Sequence, residues 1–389
     1  MDKKLNFMVE RLQPSQTLAM LSLARQMERQ GTQVIHMELG EPDIPSPESV
    51  KQAAIQALEE NFTQYTDSKG IFELREKVLG YYKNNFNTTW YNPNDNIIMT
   101  PGAKTSVFYT FLTILNAGDE VIIPTPAWVS YAGIVKFVGG TPIFVDYSKS
   151  ETGLDVQAIA KAITPKTKII LANFPNNPTS QTIPKQTYDE LAELLRTHPS
   201  IYLVSDEIYA ELTFNGSINS FMAYPYLKDQ LILISGFSKS HSMTGYRLGW
   251  SIGPDYIINK FNALQGNGPT CPTSFVQKAG LAALNERQHI LNVRRIYRDR
   301  ASLVVDLLKE IPAVTLLKPQ GAFYAFPRIE GVKNDFTMEL LKQKHVAGTP
   351  GSAFGPYYED YIRLSFATIE ENIKEGLARL KSFVTEYKK

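Results

Sequence analysis

Leu231-Ile232-Leu233-Ile234 runs directly into Ser235-Gly236-Phe237-Ser238-Lys239-Ser240-His241-Ser242-Met243-Thr244-Gly245-Tyr246-Arg247-Leu248-Gly249-Trp250. An apolar run that ends in Ser-Gly reads as a buried strand entering a tight turn, which places Lys239 on a loop at the strand's carboxyl end. Open α/β sheets receive their ligands at that end. A lysine desolvated among small residues, with Arg247 pressing a like charge against it, loses basicity and becomes a nucleophilic amine. The same residues also fit a solvated lysine in a Gly/Ser turn, so its surroundings have to decide.

Outward from this stretch, similar apolar runs recur at 97–100, 120–123, 142–145, 169–172 and 201–204, with helical patterns between most of them. Strands alternating with helices predict a largely parallel, doubly wound α/β sheet. On the amino-terminal side, Leu18, Leu21, Leu23, Ala24 and Met27 predict a helix over 16–30, followed by a strand over 34–39 and helices over 47–60 and 71–84. Beyond the lysine loop the pattern predicts a strand over 247–252 and a helical region over 256–317 broken near 266–272. It closes with strand 321–326, helix 336–344, strand 361–366 and an amphipathic helix over 369–387. The expected division is an amino-terminal arm and part of a small domain over 1–45, a large domain over 46–285, and the rest of a discontinuous small α+β domain over 286–389.

The 389 residues are 43% hydrophobic, enough for a sizeable core. Forty basic against 39 acidic residues leave a net charge of +1, so no overall field draws nucleic acid or an anionic membrane, and any anion is bound locally. The single Cys271 excludes an intrachain disulfide and a cysteine metal cluster. No window approaches the roughly 18 uninterrupted apolar residues of a membrane span. The expected location is the cytoplasm.

Several strand ends carry chemistry. Thr100-Pro101-Gly102-Ala103-Lys104-Thr105 joins a strand to a helix, and the free N–H groups there make an anion seat or an ordinary turn. Pro124-Thr125-Pro126-Ala127-Trp128-Val129-Ser130-Tyr131 offers a flat indole that either faces a ligand or packs in the core. In Asn173-Phe174-Pro175-Asn176-Asn177-Pro178-Thr179, prolines hold an extended turn. Asp206 in Ser205-Asp206-Glu207-Ile208-Tyr209 is either a buried carboxylate in need of a partner or a helix cap. Tyr361-Ile362-Arg363-Leu364-Ser365-Phe366 alternates, so Arg363 is a solvated edge charge or a carboxylate clamp.

In this order, from about Pro14 to Phe366, these stretches resemble the class I and II pyridoxal-phosphate-dependent aminotransferases of fold type I, in particular a bacterial aspartate and aromatic aminotransferase subgroup. The resemblance implies a seven-stranded, mostly parallel sheet and pyridoxal 5'-phosphate as cofactor. It implies Lys239 as the amine that carries the cofactor, Asp206 beside the pyridine nitrogen, Tyr209 and Asn177 at the ring oxygen, and Trp128 stacked on the ring. Gly102, Ala103, Lys104, Ser238 and Arg247 would bind the phosphate. Tyr65, in Gln64-Tyr65-Thr66-Asp67, would reach it from the neighbouring subunit of a homodimer with shared sites. Arg363 would hold the substrate's α-carboxylate with Gly40, Asn177 and Trp128. Ser15 and Thr17 of Pro14-Ser15-Gln16-Thr17 would lie over its side chain with Lys104, or else merely cap a helix. Departures from the family pattern are Ser180 in place of Gly, Tyr246 in place of Trp, and Gly236 in place of a phosphate-binding Ser.

The implied reaction is ping-pong transfer of an amino group from an L-amino acid, aspartate first, to a 2-oxo acid such as 2-oxoglutarate. Residues 238–243 also look like aminotransferases for aromatic or N-acetyl-diaminopimelate-type substrates. A lyase or decarboxylase on the same cofactor is a rival that a clamp at Arg363 disfavours. The effector domain of a transcription regulator is another, but it needs an attached DNA-binding domain of roughly 60 residues or more. The residues ahead of Gly40 contain no basic recognition helix.

Overall fold

The fold comes from a computed structural model, which describes residues 7–10, 16–148, 150, 153–332 and 336–387. Phe7–Glu10 (α1) and Gln16–Arg29 (α2) precede a short strand, Ile35–His36 (β1). The strand expected over 34–39 is pared to two residues because only these align with a partner strand. Helices Glu48–Glu59 (α3) and Phe72–Phe86 (α4) follow, and then the alternation begins. It runs Ile97–Thr100 (β2), Ala103–Ile114 (α5), Glu120–Thr125 (β3), Ser130–Phe137 (α6), Thr141–Asp146 (β4), Val156–Ala162 (α7), Thr167–Asn173 (β5), Lys185–Arg196 (α8), Tyr202–Asp206 (β6), Leu231–Gly236 (β7) and Gly249–Ile252 (β8).

β2 to β8 form one seven-stranded sheet in the order β2-β8-β7-β6-β5-β3-β4. β4, β3, β5, β6 and β7 pair in parallel, and β8 runs against both of its neighbours. The mostly parallel sheet expected from the alternation is therefore present, with one reversed strand. Apart from the edge strand β4, its strands are buried on both faces, as helices on either side require. Ile122, Ile170, Leu203 and Leu233 enter one core, while Val121, Ile169, Val204 and Ile232 enter the opposite one, following the two-residue period of the pleat. The strand expected to begin at Arg247 starts instead at Gly249, since Arg247 still turns the loop with φ at +54°.

The chain continues through Asp255–Gly266 (α9), Ser274–Ala283 (α10), Arg287–Lys309 (α11), Val314–Thr315 (β9), Tyr324–Ala325 (β10), Arg328–Ile329 (β11), Phe336–Lys344 (α12), Val346–Ala347 (β12), Thr349–Pro350 (β13), Ile362–Ser365 (β14) and Glu370–Tyr387 (α13). The helical region expected to reach 317 stops at Lys309. Pro312 cannot continue it and Ala313 turns the backbone left-handed with φ at +62°. Ile35 and Met37 from one end of the chain share a third core with Val293, Tyr297, Phe323, Val346, Leu364 and Leu377 from the other. β1 joins it by parallel pairing with β12, which makes this smaller α+β layer discontinuous in sequence. Among the described residues, no helix is long and apolar enough to cross a membrane.

Candidate active site

The order of the sheet departs from the order of the sequence where β5 lies beside β3 and β4 is pushed to the edge. A cavity of about 470 Å³ opens at the carboxyl ends of the strands around that point. Crevices at such reversals are where open α/β sheets bind ligands. Because β8 runs backwards, β2 points the same way as β7 and brings its own carboxyl end to the same rim.

Lys239 enters the cavity from the loop after β7, and its Nζ donates to the Gly40 carbonyl at 2.5 Å. Burial pushes the amine down to about 8; Glu41 opposes that shift, while Arg363, Arg247 and Lys104 add to it. A neutral, nucleophilic fraction is thus present near neutral pH. Asp206, the last residue of β6, is only 4% exposed. Its carboxylate accepts from Tyr131 Oη at 2.6 Å and from the Ile208 amide at 3.2 Å. Burial still lifts it to about 6, against those two bonds and the charge of Lys239. A buried carboxylate in that condition is set to receive a cation. Asn173 Nδ2 donates to the Asp206 carbonyl at 2.9 Å, and its Oδ1 accepts the Asn177 amide at 3.2 Å, which braces the ends of β5 and β6 together.

The anion seat lies between β2 and β8. Gly102, at φ +83°, turns the chain into α5, and a Cβ there would collide with the Arg247 guanidinium. A Cβ on Gly249 would come within 2.5 Å of the Ala103 amide nitrogen, so the reversed strand and the loop after β2 approach at van der Waals distance only because that residue is glycine. Arg247 donates to the Thr244 carbonyl at 2.7 Å. Lys104 Nζ lies 5.0 Å from the Trp128 ring centre, and burial, with Arg247 nearby, lowers its pKa. Helix amides, a lysine and an arginine around one loop are a seat for a phosphate-sized anion.

Arg363, on β14, crosses from the smaller layer. Its guanidinium is buried, donates to Asn177 Oδ1 at 3.1 Å, to Thr349 Oγ1 at 3.2 Å and to the Glu38 carbonyl, and lies 4.6 Å over the Tyr324 ring. Burial lowers its pKa from the ordinary value. Tyr209 Oη bonds Tyr324 Oη at 2.8 Å on the same wall.

Gly40, Ala103, Lys104, Trp128, Asn177, Asp206, Tyr209, Ser238, Lys239, Arg247 and Arg363 therefore converge on one cavity, with Gly102 behind the Arg247 guanidinium. Tyr65 is 83% exposed and does not line the cavity of the single chain. Ser15 lies outside the described residues, and of Thr17 only its place in α2 is described. Sequence reasoning gave no role to Tyr131, Asn173 or Tyr324. The signal for Tyr131 was its position three residues after Trp128 at a helix start, where the two side chains meet edge to face at 5.1 Å.

The family model described as aminotransferase class I and II matches residues 32–380. The chain belongs to that family. It is 36% identical to an aspartate aminotransferase of Sulfurisphaera tokodaii over 95% of this chain and 94% of that one. It is 40% identical to a probable N-acetyl-LL-diaminopimelate aminotransferase of Bacillus subtilis over 90% of this chain and 89% of the relative. The aspartate aminotransferase of Thermus thermophilus solved with maleate superposes with a TM-score of 0.92, at 34% identity, over 98% of this chain and 100% of that one. The protein is thus an aminotransferase of fold type I, and the cavity at the strand ends described above is its candidate active site.

Proposed function

We propose that this aminotransferase uses pyridoxal 5'-phosphate to move the amino group of an L-amino acid, aspartate by preference, to a 2-oxo acid such as 2-oxoglutarate. The observation that carries the reading is the convergence of an amine lowered to about 8, a buried carboxylate raised to about 6 and a buried guanidinium on one cavity. These residues fit the cofactor: the seat at Gly102, Ala103, Lys104, Ser238 and Arg247 suits its phosphate, and Asp206 suits a protonated ring nitrogen. When bound, pyridoxal phosphate supplies a carbonyl that condenses with amines and a ring that accepts the electron pair left on Cα. Lys239 Nζ would take the proton from Cα and return it to the cofactor's former carbonyl carbon, on the far side of the shared nitrogen. Asp206, steadied by Tyr131, holds the positive charge of the ring nitrogen. Asn177 and Tyr209 hydrogen-bond the ring oxygen and Trp128 covers the ring face. Arg363 fixes the α-carboxylate, which leaves the Cα–H bond rather than the Cα–carboxylate bond facing Lys239 and separates transamination from decarboxylation.

We propose Lys104, with Ser15 and Thr17, for the side-chain carboxylate of an acidic donor; the position of Lys104 on the cavity wall and the names of the aspartate aminotransferase relatives support this. The 40% identity to the B. subtilis relative supports a second reading, an N-acetyl-diaminopimelate-type donor, and the resemblance of residues 238–243 adds an aromatic donor to it. Comparing kcat/KM for aspartate, glutamate, phenylalanine and tyrosine with 2-oxoglutarate, in the wild type and in Lys104→Ala, separates the two. Aspartate leading, with a selective loss in the variant, supports the acidic reading. Equal loss for all donors confines Lys104 to the phosphate seat.

The active unit we propose is a homodimer to which Tyr65 of each chain lends a phosphate contact. The division at 45/46 and 285/286 belongs to the same reading, and the core shared by both chain ends supports it. Mixing Lys239→Ala with Tyr65→Ala chains tests the sharing, because only chimeric dimers regain activity.

A further inference from the structure

Behind Arg363 stands a carboxylate that the reaction does not use. Glu38 is fully buried. Its Oε1 accepts from His36 Nδ1 at 2.8 Å, and among the described residues Oε2 has no hydrogen-bond partner. Arg363 donates to the Glu38 backbone carbonyl, and its buried Nε has no partner among the described residues either. The side-chain charge of Glu38 still bears on Arg363. A buried guanidinium and a buried carboxylate therefore sit on neighbouring residues, each with an unused polar atom, and they are not ion-paired. What holds the carboxylate is His36. The imidazole is 27% exposed and bonds Glu28 of α2 through Nε2 at 3.0 Å while it bonds Glu38 through Nδ1. Among the described residues, the charges that act on His36 are those of these two acids. β12 presents Val346 and Ala347, and α13 meets β1 through Gly376, with its Arg379 paired to Glu375 at 2.7 Å.

Resting on the assignment of Arg363 as the carboxylate clamp, we propose that His36 is a positioning residue that keeps the Glu38 carboxylate occupied, so that Arg363 stays open to the substrate. An unpaired buried carboxylate either takes up a proton or pairs with a cation in reach, because its isolation in the interior is costly. Once His36 is lost, the cation on which the Glu38 charge already bears is Arg363. The hydrogen bond to Glu38, helped by the charges of Glu38 and Glu28 and opposed by burial, raises His36 to about 9 from the ordinary 6.5. The sign follows: the imidazolium is in place below that value, and Glu38 is released as pH rises through about 9.

The test uses the holoenzyme and the variants His36→Gln, Glu38→Gln and the double variant. KM is measured for donor and acceptor, and calorimetry follows binding of the unreactive carboxylates succinate and hydrocinnamate, so that side-chain preference does not matter. For His36→Gln we expect KM and both dissociation constants to rise about tenfold, with kcat changed far less. The double variant returns to near wild type, and wild-type binding weakens above pH 9 while that of the double variant does not. His36→Gln binding both carboxylates as wild type, or a loss in His36→Gln that Glu38→Gln fails to rescue, overturns the proposal. Arg363→Lys, measured alongside, separates the two layers of the argument. If it too leaves carboxylate binding unchanged, the clamp assignment fails. If it alone weakens binding, only the role of His36 fails.

Discussion

Asp206 and Lys239 stand at the ends of adjacent parallel strands, β6 and β7, whose register sets Asp206 beside Ile234. Arg363 arrives from β14, which pairs with β10 and β13 and whose Ile362 and Leu364 pack in the core shared by the two ends of the chain. The floor of the cavity is thus fixed by one rigid sheet, and its clamp depends on how a second layer is seated. Groups held by a common sheet keep their mutual distances within the tolerance that proton transfer demands. A group on a separate layer suits the recognition of something that comes and goes. Changes to the floor should accordingly fall on kcat, and changes to the clamp on KM.

The largest effect is expected at Lys239. Lys239→Ala removes the amine proposed both to hold the cofactor and to move the proton, so turnover should fall to the background and the absorbance of the bound cofactor should shift. A variant with normal turnover ends the reading of the floor. Next, Asp206→Ala should slow proton abstraction by ~10² to 10³ while cofactor still binds through the phosphate seat, the usual scale for one preorganised electrostatic partner. If only cofactor affinity drops, Asp206 is structural. Arg363→Ala should raise KM for donor and acceptor by roughly 10², the cost of one desolvated charge contact, with a smaller change in kcat. A purely kcat effect would erase the contrast between floor and clamp. Tyr131→Phe should cost about tenfold in kcat, as one hydrogen bond to a buried charge does. Its KM should stay unchanged.

The pH dependence sharpens the same contrast from the side of the apoenzyme. An amine captures a carbonyl only when unprotonated, so the rate of cofactor uptake should climb with pH and level off above about 8, where Lys239 has lost its proton. A rate still climbing at pH 10 would mean that burial and the neighbouring cations do not depress the amine.

Most of the floor was legible in the sequence because each of its groups follows an apolar run and a Gly- or Pro-marked turn. Lys239, Asp206, Asn177 and the Gly102 loop could all be placed at strand ends without coordinates. Order within the sheet was not legible, since nothing local to β8 announces that it runs backwards between β2 and β7. The braces were also silent. Asn173 sits in the quoted turn, yet its bond to the Asp206 carbonyl joins residues 33 apart. Glu38 read as a polar position in a short strand, and its burial against His36 and Arg363 depends on packing that brings together residues 325 apart. The two ends of the predicted strand over 34–39 failed for a related reason: Val34 packs with Met20 and Ala24 of α2, Met37 serves the third core, and only Ile35 and His36 are in register with β12.

The central claim is that Lys239 is the amine that holds the cofactor. Borohydride reduction of the protein loaded with pyridoxal phosphate, followed by proteolysis and peptide mass mapping, tests it most directly. We expect one stable pyridoxyl-phosphate adduct per chain, on the peptide that contains Lys239, and none in Lys239→Ala. An adduct on Lys104 or another lysine in the wild type, or undiminished labelling of the variant, would contradict it.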